Sequence, residues 1–207
     1  MDKKSKLEEI KDKALADDKL PLRTKETNLV FGVGNPEAEI LFIGEGPGYW
    51  ENVKSEPFVG PAGRLLDKLL ELINIKRQEV FITNVVMHRP PNNRDPLPQE
   101  IEAYRPYLDA IIETISPKII VTLGRFSMAK FLPNAVISKV HGNPSLVKWG
   151  DNEITVVPMY HPAAALRSNE IMVKLREDFL KLPAILASLD KAKEKEEKEE
   201  EKQMALF

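Results

Sequence analysis

Three segments of this chain carry polar side chains directly after a short aliphatic run. GEGPG at residues 44–48 follows ILFI, Asn84 follows VFIT, and His161 follows ITVVPMY. Short aliphatic runs of this kind are typical of strands that are buried on both faces. In a parallel sheet, ligands bind in the crevice beyond the carboxyl ends of the strands. We therefore expect the three segments to converge on one binding or catalytic site.

The side chains near these strand ends suit the recognition of a flat heterocycle. The amide of Asn84 carries a donor and an acceptor side by side, so it could pair with the edge of a pyrimidine or cap the next segment. Phe58 is either a core residue or a platform on which a base could stack. His161 could be structural, but its position at a strand end before Pro162 favours a chemical role.

The loop after GEGPG is unusually long, since roughly twenty residues separate the strand from the next helix, where about 2 to 6 would suffice. Long loops anchored by glycine and proline more often carry a function than merely connect, and glycine lets the backbone approach a ligand closely. A simple strand-ending turn is the alternative. The dinucleotide-binding spacing G-x-G-x-x-G and the G-K-[ST] of a phosphate loop are both absent.

Aliphatic runs alternate with segments of helical periodicity along the chain. This order predicts a three-layer α/β/α fold with a central, mainly parallel, four-stranded sheet. The predicted strands are 40–46, 79–86, 118–124 and 153–162, and the predicted helices are 5–16, 62–73, 99–115, 125–132 and 170–189. We expect one domain over residues 1–189 and a charged, flexible tail over 190–207.

The composition narrows the possible functions. The 207 residues are 43% hydrophobic and 30% charged, and no apolar run approaches the roughly 18 residues that a membrane helix needs. The charged amino terminus lacks a secretion signal, so we expect a cytoplasmic protein. We also expect a monomer without membrane contact. The formal net charge of -2 argues only weakly against nucleic-acid binding, because the acidic tail contributes to it. The chain has no cysteine, which excludes disulfides and thiolate metal sites.

Five segments together resemble the family 4 uracil-DNA glycosylases. They are GEGPG, PFVGPAGRLLD, FITNVV, RPPNNRDP and HPAAALR, in the family's order and spacing, and the resemblance covers roughly residues 17 to 185. It implies a uracil-DNA glycosylase-like fold and an enzyme that flips uracil out of DNA and hydrolyses its N-glycosidic bond in base excision repair. The alternatives are a DNA-binding homologue with impaired catalysis and an unrelated hydrolase, for which no nucleophile and base can be identified.

The resemblance also implies a role for individual residues. Phe58 would stack on the flipped uracil, Asn84 would read its pairing edge, and Glu51 would lie near C5, where a thymine methyl group would clash. His161 would donate a hydrogen bond to the uracil carbonyl as negative charge develops on it. The water or the sugar would be positioned by Glu45 and by the backbone of Gly46 to Gly48, next to an oxocarbenium-like sugar.

Three arginines are implied as DNA contacts. Arg167 and the apolar residues beside it would enter the minor groove, and Arg89 and Arg94 in the proline-rich loop could hold phosphates. For each of them a solvated surface charge is an equal alternative.

The chain departs from the family at the positions that hold its [4Fe-4S] cluster. They correspond to Asp17, Leu20, His88 and Tyr104, none of which is a thiol. We therefore expect no cluster and no other cofactor, with packing by Leu20 and Tyr104 in its place. A mononuclear metal on Asp17 and His88 would be a weak site, because the two ligands are unlike.

The first loop departs from the family as well. The family's acidic run after GEGPG reads Tyr49, Trp50, Glu51 and Asn52 here. The amide of Asn52 would lower activity if an acid there assists in activating water. Tyr49 and Trp50 are either new aromatic contacts to DNA or surface residues.

The last residues resemble a peptide that docks onto the bacterial sliding clamp of replication. Gln203 would be its polar anchor, and Met204, Leu206 and Phe207 its apolar part. A frayed amphipathic terminus is the alternative.

Overall fold

The computed structural model describes residues 2–150 and 152–204. The strands are β1 (Val33–Gly34), β2 (Ile40–Gly44), β3 (Phe81–Asn84), β4 (Ile119–Leu123), β5 (Ser145–Trp149) and β6 (Asn152–Met159). The helices are α1 (Lys3–Ala16), α2 (Tyr49–Lys54), α3 (Pro61–Leu72), α4 (Pro98–Ile115), α5 (Arg125–Phe131), α6 (Ile137–Val140), α7 (Pro162–Ala165) and α8 (Asn169–Met204). Short 3-10 turns lie at Arg77–Glu79 and Pro91–Asn93.

The strands form one six-stranded sheet in the order β1-β3-β2-β4-β6-β5. The four central strands are parallel and are the four that the sequence predicts, so the mainly parallel sheet is confirmed. The two edge strands, β1 and β5, are antiparallel and were not predicted. β1 has only two residues, and β5 has no fully buried face, so neither presents the aliphatic run that identifies a buried strand.

Helices cover both faces of the sheet, which confirms the three-layer architecture. Side chains alternate along each strand, so that Leu41 and Ile43 of β2 face one apolar cluster and Ile40 and Phe42 face the other. The first cluster includes buried residues of α1, α4 and α5, and the second includes buried residues of α3 and α8. The sheet is thereby enclosed between two apolar layers.

The parallel register brings the predicted segments to one edge. Gly44 at the end of β2 pairs with Asn84 at the end of β3. β6 runs parallel to these strands on the other side of β4, and its last residue, Met159, precedes Tyr160 and His161. Glu45, Asn84 and His161 therefore emerge at the same edge of the sheet.

The last helix is longer than predicted, since α8 continues to Met204 through the charged segment that the sequence predicts to be a flexible tail. Glutamate and lysine are good helix formers even where they have no apolar surface to bury. The predicted division into one domain over residues 1–189 and a tail over residues 190–207 stays a prediction. Leu206 and Phe207 of the clamp-like peptide lie outside the described residues. Among the described helices, none is long and apolar enough to cross a membrane.

Candidate active site

A cleft of about 580 Å³ opens at the carboxyl edge of the sheet. Its size is within the usual range for small-molecule sites. Nine of the ten residues predicted to contact uracil or DNA line it; the exception is Arg89. The nine are Glu45, Gly46, Gly48, Glu51, Phe58, Asn84, Arg94, His161 and Arg167.

Phe58 is held in a strained backbone conformation beneath this cleft. Its φ is +53°, in the left-handed region that bulky residues rarely adopt. Two glycines make the conformation possible. A Cβ on Gly63 would lie 1.8 Å from the Phe58 carbonyl oxygen, and a Cβ on Gly44 would lie 2.6 Å from the Phe58 ring. The glycines of GEGPG and PAG are therefore required to seat this aromatic ring.

The rings of Phe58 and His161 stack on each other. Their centroids are 5.5 Å apart and their planes differ by 27°. This separation is typical of offset stacking, in which each ring covers only part of the other. A base lying on the uncovered part of Phe58 would present its edge, rather than its face, to His161.

Asn84 ends β3 with its side chain almost completely buried at 2% exposure. The structure shows no hydrogen bond from its side-chain amide to any described residue, although the residue lines the cleft. Among the described residues, Thr122 Oγ1 is the only fully buried side-chain polar atom without a hydrogen bond, so the polar atoms of the Asn84 amide reach the cleft. A Cβ on Gly44 would lie 2.4 Å from Asn84 Oδ1, so glycine at position 44 also makes room for this amide. The arrangement fits an amide that pairs with a ligand.

His161 is the N-cap residue of α7, and its ring tautomer is fixed. The backbone N–H of Ala163 donates a hydrogen bond of 3.0 Å to His161 Nδ1. Nδ1 must therefore be unprotonated, which leaves Nε2 as the N–H donor of a neutral ring. Burial lowers the pKa of His161 to about 4, while the Glu51 carboxylate opposes this shift. At neutral pH, His161 is thus an uncharged hydrogen-bond donor in the cleft.

Glu45 contacts the turn that follows β4. Its Oε1 accepts a hydrogen bond of 3.4 Å from the Phe126 backbone N–H, and a Cβ on Gly124 would lie 2.3 Å from the same oxygen. Burial raises the pKa of Glu45, an effect that the Phe126 hydrogen bond opposes. This turn was not among the predicted site segments, although Gly124 follows β4 at the same edge of the sheet.

Glu51 connects α2 to the loop that carries Phe58. Its Oε1 accepts hydrogen bonds from the backbone N–H groups of Val59 (3.0 Å) and Gly60 (2.8 Å). These contacts hold the residues directly after Phe58. Glu51 therefore has a structural function in addition to its predicted position next to the base.

The three predicted DNA-binding arginines have different surroundings. The guanidinium of Arg94 forms two hydrogen bonds, of 2.8 and 2.5 Å, with the buried carboxylate of Glu100. Arg89 Nε donates to Asn93 Oδ1 at 2.7 Å, and Arg167 is exposed at the rim of the cleft. The charge of Arg94 is thus already matched within the protein, and the DNA contacts of all three stay predictions.

Asn52 faces away from the cleft. Its Oδ1 accepts a hydrogen bond of 2.8 Å from the Asn28 backbone N–H, and its Nδ2 donates one of 3.0 Å to the Glu26 carbonyl. An aspartate at this position could not donate to that carbonyl. The amide is therefore explained by the segment that it holds, and it does not lie where it could activate a water molecule in the cleft.

Comparison with known proteins identifies the family. The profile of the uracil DNA glycosylase superfamily matches residues 31–183. The chain is 48% identical over 182 residues to the type-4 uracil-DNA glycosylase of Sulfurisphaera tokodaii, covering 85% of this chain and 83% of the relative. It is 46% identical over 171 residues to that of Archaeoglobus fulgidus (79% and 85%) and 43% identical over 170 residues to that of Thermotoga maritima (80% and 87%). The chain belongs to the type-4 family of the uracil-DNA glycosylase superfamily.

The positions predicted to correspond to the family's cluster ligands do not fit an iron-sulfur cluster. His88 Nδ1 and the Tyr104 hydroxyl form a buried hydrogen bond of 2.8 Å. Leu20 is 3% exposed in the same apolar cluster as Tyr104, and Asp17 accepts a hydrogen bond of 2.7 Å from the Tyr107 hydroxyl. Burial lowers the pKa of His88 to about 4. Among the residues that the structure describes, no group of three or more His, Asp or Glu side chains is placed to hold a metal ion.

Proposed function

We propose that this protein removes uracil from DNA by hydrolysing its N-glycosidic bond, as the first step of base excision repair. Membership of the type-4 family supports this proposal. The observation that carries it is the convergence of three side chains in one cleft: an aromatic ring on a strained backbone (Phe58), an amide that forms no hydrogen bond with a described residue (Asn84) and a neutral histidine donor (His161).

The proposed recognition uses Phe58 and Asn84. Uracil leaves the DNA stack and lies on the small part of the Phe58 ring that faces the cleft, since this residue is only 5% exposed. The Asn84 oxygen accepts from N3–H of uracil, and the amide nitrogen donates to O4. Cytosine has an acceptor at N3 and a donor amino group on C4, which is the opposite pattern, so it is rejected. Glu51 borders the space next to C5 and leaves no room for the methyl group of thymine.

The proposed chemistry separates the base from the sugar before water adds. As the C1′–N1 bond breaks, its electron pair passes into the uracil ring, and negative charge develops on the carbonyl that accepts from His161 Nε2–H. Glu45 stabilises the cationic sugar and accepts a proton from the water whose oxygen bonds to C1′. The raised pKa of Glu45 makes it a stronger base for this proton.

Excision of uracil from an oligonucleotide tests the proposal. The purified protein is incubated with a strand containing one uracil, single-stranded or opposite guanine, and abasic sites are then cleaved with alkali. We expect cleavage at uracil and none with cytosine or thymine at that position. Asn84→Ala should lower the single-turnover rate about 5- to 140-fold, since a bidentate pair is worth about 1 to 3 kcal/mol. The matched control is Asn134→Ala, because Asn134 is exposed and does not line the cleft. Binding without excision by the wild type would instead identify a non-catalytic homologue.

Further proposals concern cofactors and partners. We propose that the protein needs no iron-sulfur cluster, acts as a cytoplasmic monomer and binds a sliding clamp through Gln203, Met204, Leu206 and Phe207. Excision should survive a strong chelator, and the purified protein should contain no iron.

Deletion of residues 203–207 should abolish clamp binding and leave excision unchanged; clamp binding by the truncated protein would refute the docking proposal.

A further inference from the structure

Two aromatic side chains stand at the rim of the cleft, exposed to solvent. Tyr49 and Trp50, the first two residues of α2, are 53% and 51% exposed. Their rings meet edge to face, with centroids 5.2 Å apart, and both residues line the same cleft as Phe58. Exposed large aromatics that cluster next to a binding site mark a surface for a partner.

The aromatic pair is held firmly in place. Glu51, the next residue of α2, accepts the backbone hydrogen bonds of Val59 and Gly60, so the first turn of α2 is attached to the Phe58 loop. A Cβ on Gly60 would lie 3.5 Å from Trp50 Cδ1, which shows how closely the indole approaches this loop. The rigid attachment lowers the conformational entropy that binding would cost.

A positive charge lies next to the pair. The guanidinium carbon of Arg89 is 5.4 Å from the centroid of the Tyr49 ring, a cation–π contact, and Arg89 Nε is held by Asn93. Among the described residues, Arg89 forms no ion pair with a carboxylate. An aromatic surface beside a cation is complementary to a nucleotide, which has a flat base and a negative phosphate.

Since Arg89 covers one face of Tyr49, Trp50 is the better stacking surface. A base inside a duplex has both faces covered by its neighbours, so only an unstacked base can use this surface. We propose that Trp50, supported by Tyr49, stacks on an unpaired base next to the flipped uracil, and that Arg89 contacts the adjoining phosphate. This inference deepens the proposed function, on which it rests, and assigns single-stranded DNA as the preferred substrate.

The test compares Trp50→Ala with the wild type on three uracil-containing substrates: a single strand, the same strand in a duplex, and a single strand with abasic spacers on both sides of the uracil. On the plain single strand, Trp50→Ala should raise KM about 5- to 140-fold, the equivalent of about 1 to 3 kcal/mol per stacked base. It should change KM less than threefold on the other two substrates. Trp50→Phe should restore most of the loss.

Val53→Ala is the matched control, because Val53 lies on the same helix with 53% exposure and does not line the cleft. A Trp50→Ala protein that behaves like the wild type on the plain single strand would overturn the inference. An equal loss on all three substrates would also overturn it, since the effect would then not depend on a neighbouring base.

Dissociation constants for single strands with and without spacers, measured by fluorescence anisotropy, separate the inference from the proposed function. If the wild type releases no uracil, the proposed function fails, but the same comparison of Trp50→Ala with the wild type still decides whether Trp50 stacks on a base.

Discussion

Replacement of His161 tests the central element of the proposed mechanism. The ring caps α7 through Nδ1 and presents Nε2–H to the cleft. A preorganised donor to a developing oxyanion is worth about 2.7 to 4 kcal/mol, or a factor of about 10² to 10³ in rate. His161→Ala should therefore lower single-turnover excision by this factor. It should also destabilise the protein by about 1 kcal/mol, because the helix loses its cap.

His161→Asn separates these two effects. Asparagine is a good N-cap residue, so it should preserve stability by accepting from the Ala163 N–H. Its side chain is too short to place a donor where Nε2 lies. We expect His161→Asn to lose as much activity as His161→Ala while unfolding at nearly the wild-type denaturant concentration.

The pH dependence follows from the burial of the same ring. Since the pKa of His161 is lowered to about 4, below its ordinary value of 6.5, the ring is neutral in the folded protein above about pH 5. The wild-type rate should therefore show no ionisation of His161 near pH 6.5. The direction of the effect on the free energy of unfolding also follows. As the pH falls, the unfolded chain binds a proton at His161 before the folded protein does, so the stability that the neutral ring contributes is complete above pH 6.5 and is lost as the pH falls towards 4.

Single-turnover excision of uracil from a single-stranded oligonucleotide, measured from pH 5.5 to 8.5, checks these expectations. An ionisation near pH 6.5 that disappears in His161→Asn would show that the charged ring acts in catalysis. A rate within threefold of the wild type for His161→Ala would refute the proposed role altogether.

Three further changes test how the structure supports the site. Gly63→Ala should lower both excision and stability, because the added Cβ would meet the Phe58 carbonyl oxygen at 1.8 Å; an unchanged rate would show that Phe58 need not adopt its strained conformation. Asn52→Asp should lower the free energy of unfolding by about 1 to 3 kcal/mol in urea titrations, because the Glu26 carbonyl loses its donor. Tyr104→Phe should lower the free energy of unfolding by a similar amount, because the buried His88 Nδ1 loses its hydrogen-bond partner. It should leave the excision rate at 25 °C unchanged; a lower rate would connect this hydrogen bond to catalysis.

The parts of the fold that could be predicted are those encoded by local pattern. The runs ILFI, VFIT and IIVTL are aliphatic because their strands are buried on both faces. Once they are parallel, Gly44 and Asn84 must end at the same edge, and the register confirms that they do. The convergence of the predicted residues in one cleft follows from this geometry.

Contacts that depend on tertiary distance could not be predicted. The Phe126 N–H that contacts Glu45 lies 81 residues further along the chain, and the Arg94–Glu100 pair depends on how the proline-rich loop meets α4. The strained backbone conformation of Phe58 could not be predicted from Phe58 alone. It is possible only because Gly44 and Gly63, which are distant in sequence, leave space for the residue. The sequence pattern therefore predicts which residues lie at the site, whereas their hydrogen-bond partners can be identified only in the folded structure.

A continuous set of contacts connects Leu20, one of the positions predicted to correspond to the family's cluster ligands, to Phe58. Leu20 packs in the apolar cluster of Tyr104, and the segment after it reaches Asn28, which Asn52 holds through two hydrogen bonds. Asn52 lies next to Glu51 on α2, and Glu51 holds the backbone after Phe58. The amino-terminal segment is therefore connected to the proposed uracil site through α2. Since Asp17, Leu20, His88 and Tyr104 do not line the cleft, we expect the absence of thiolates at these positions to remove no group that would contact the base.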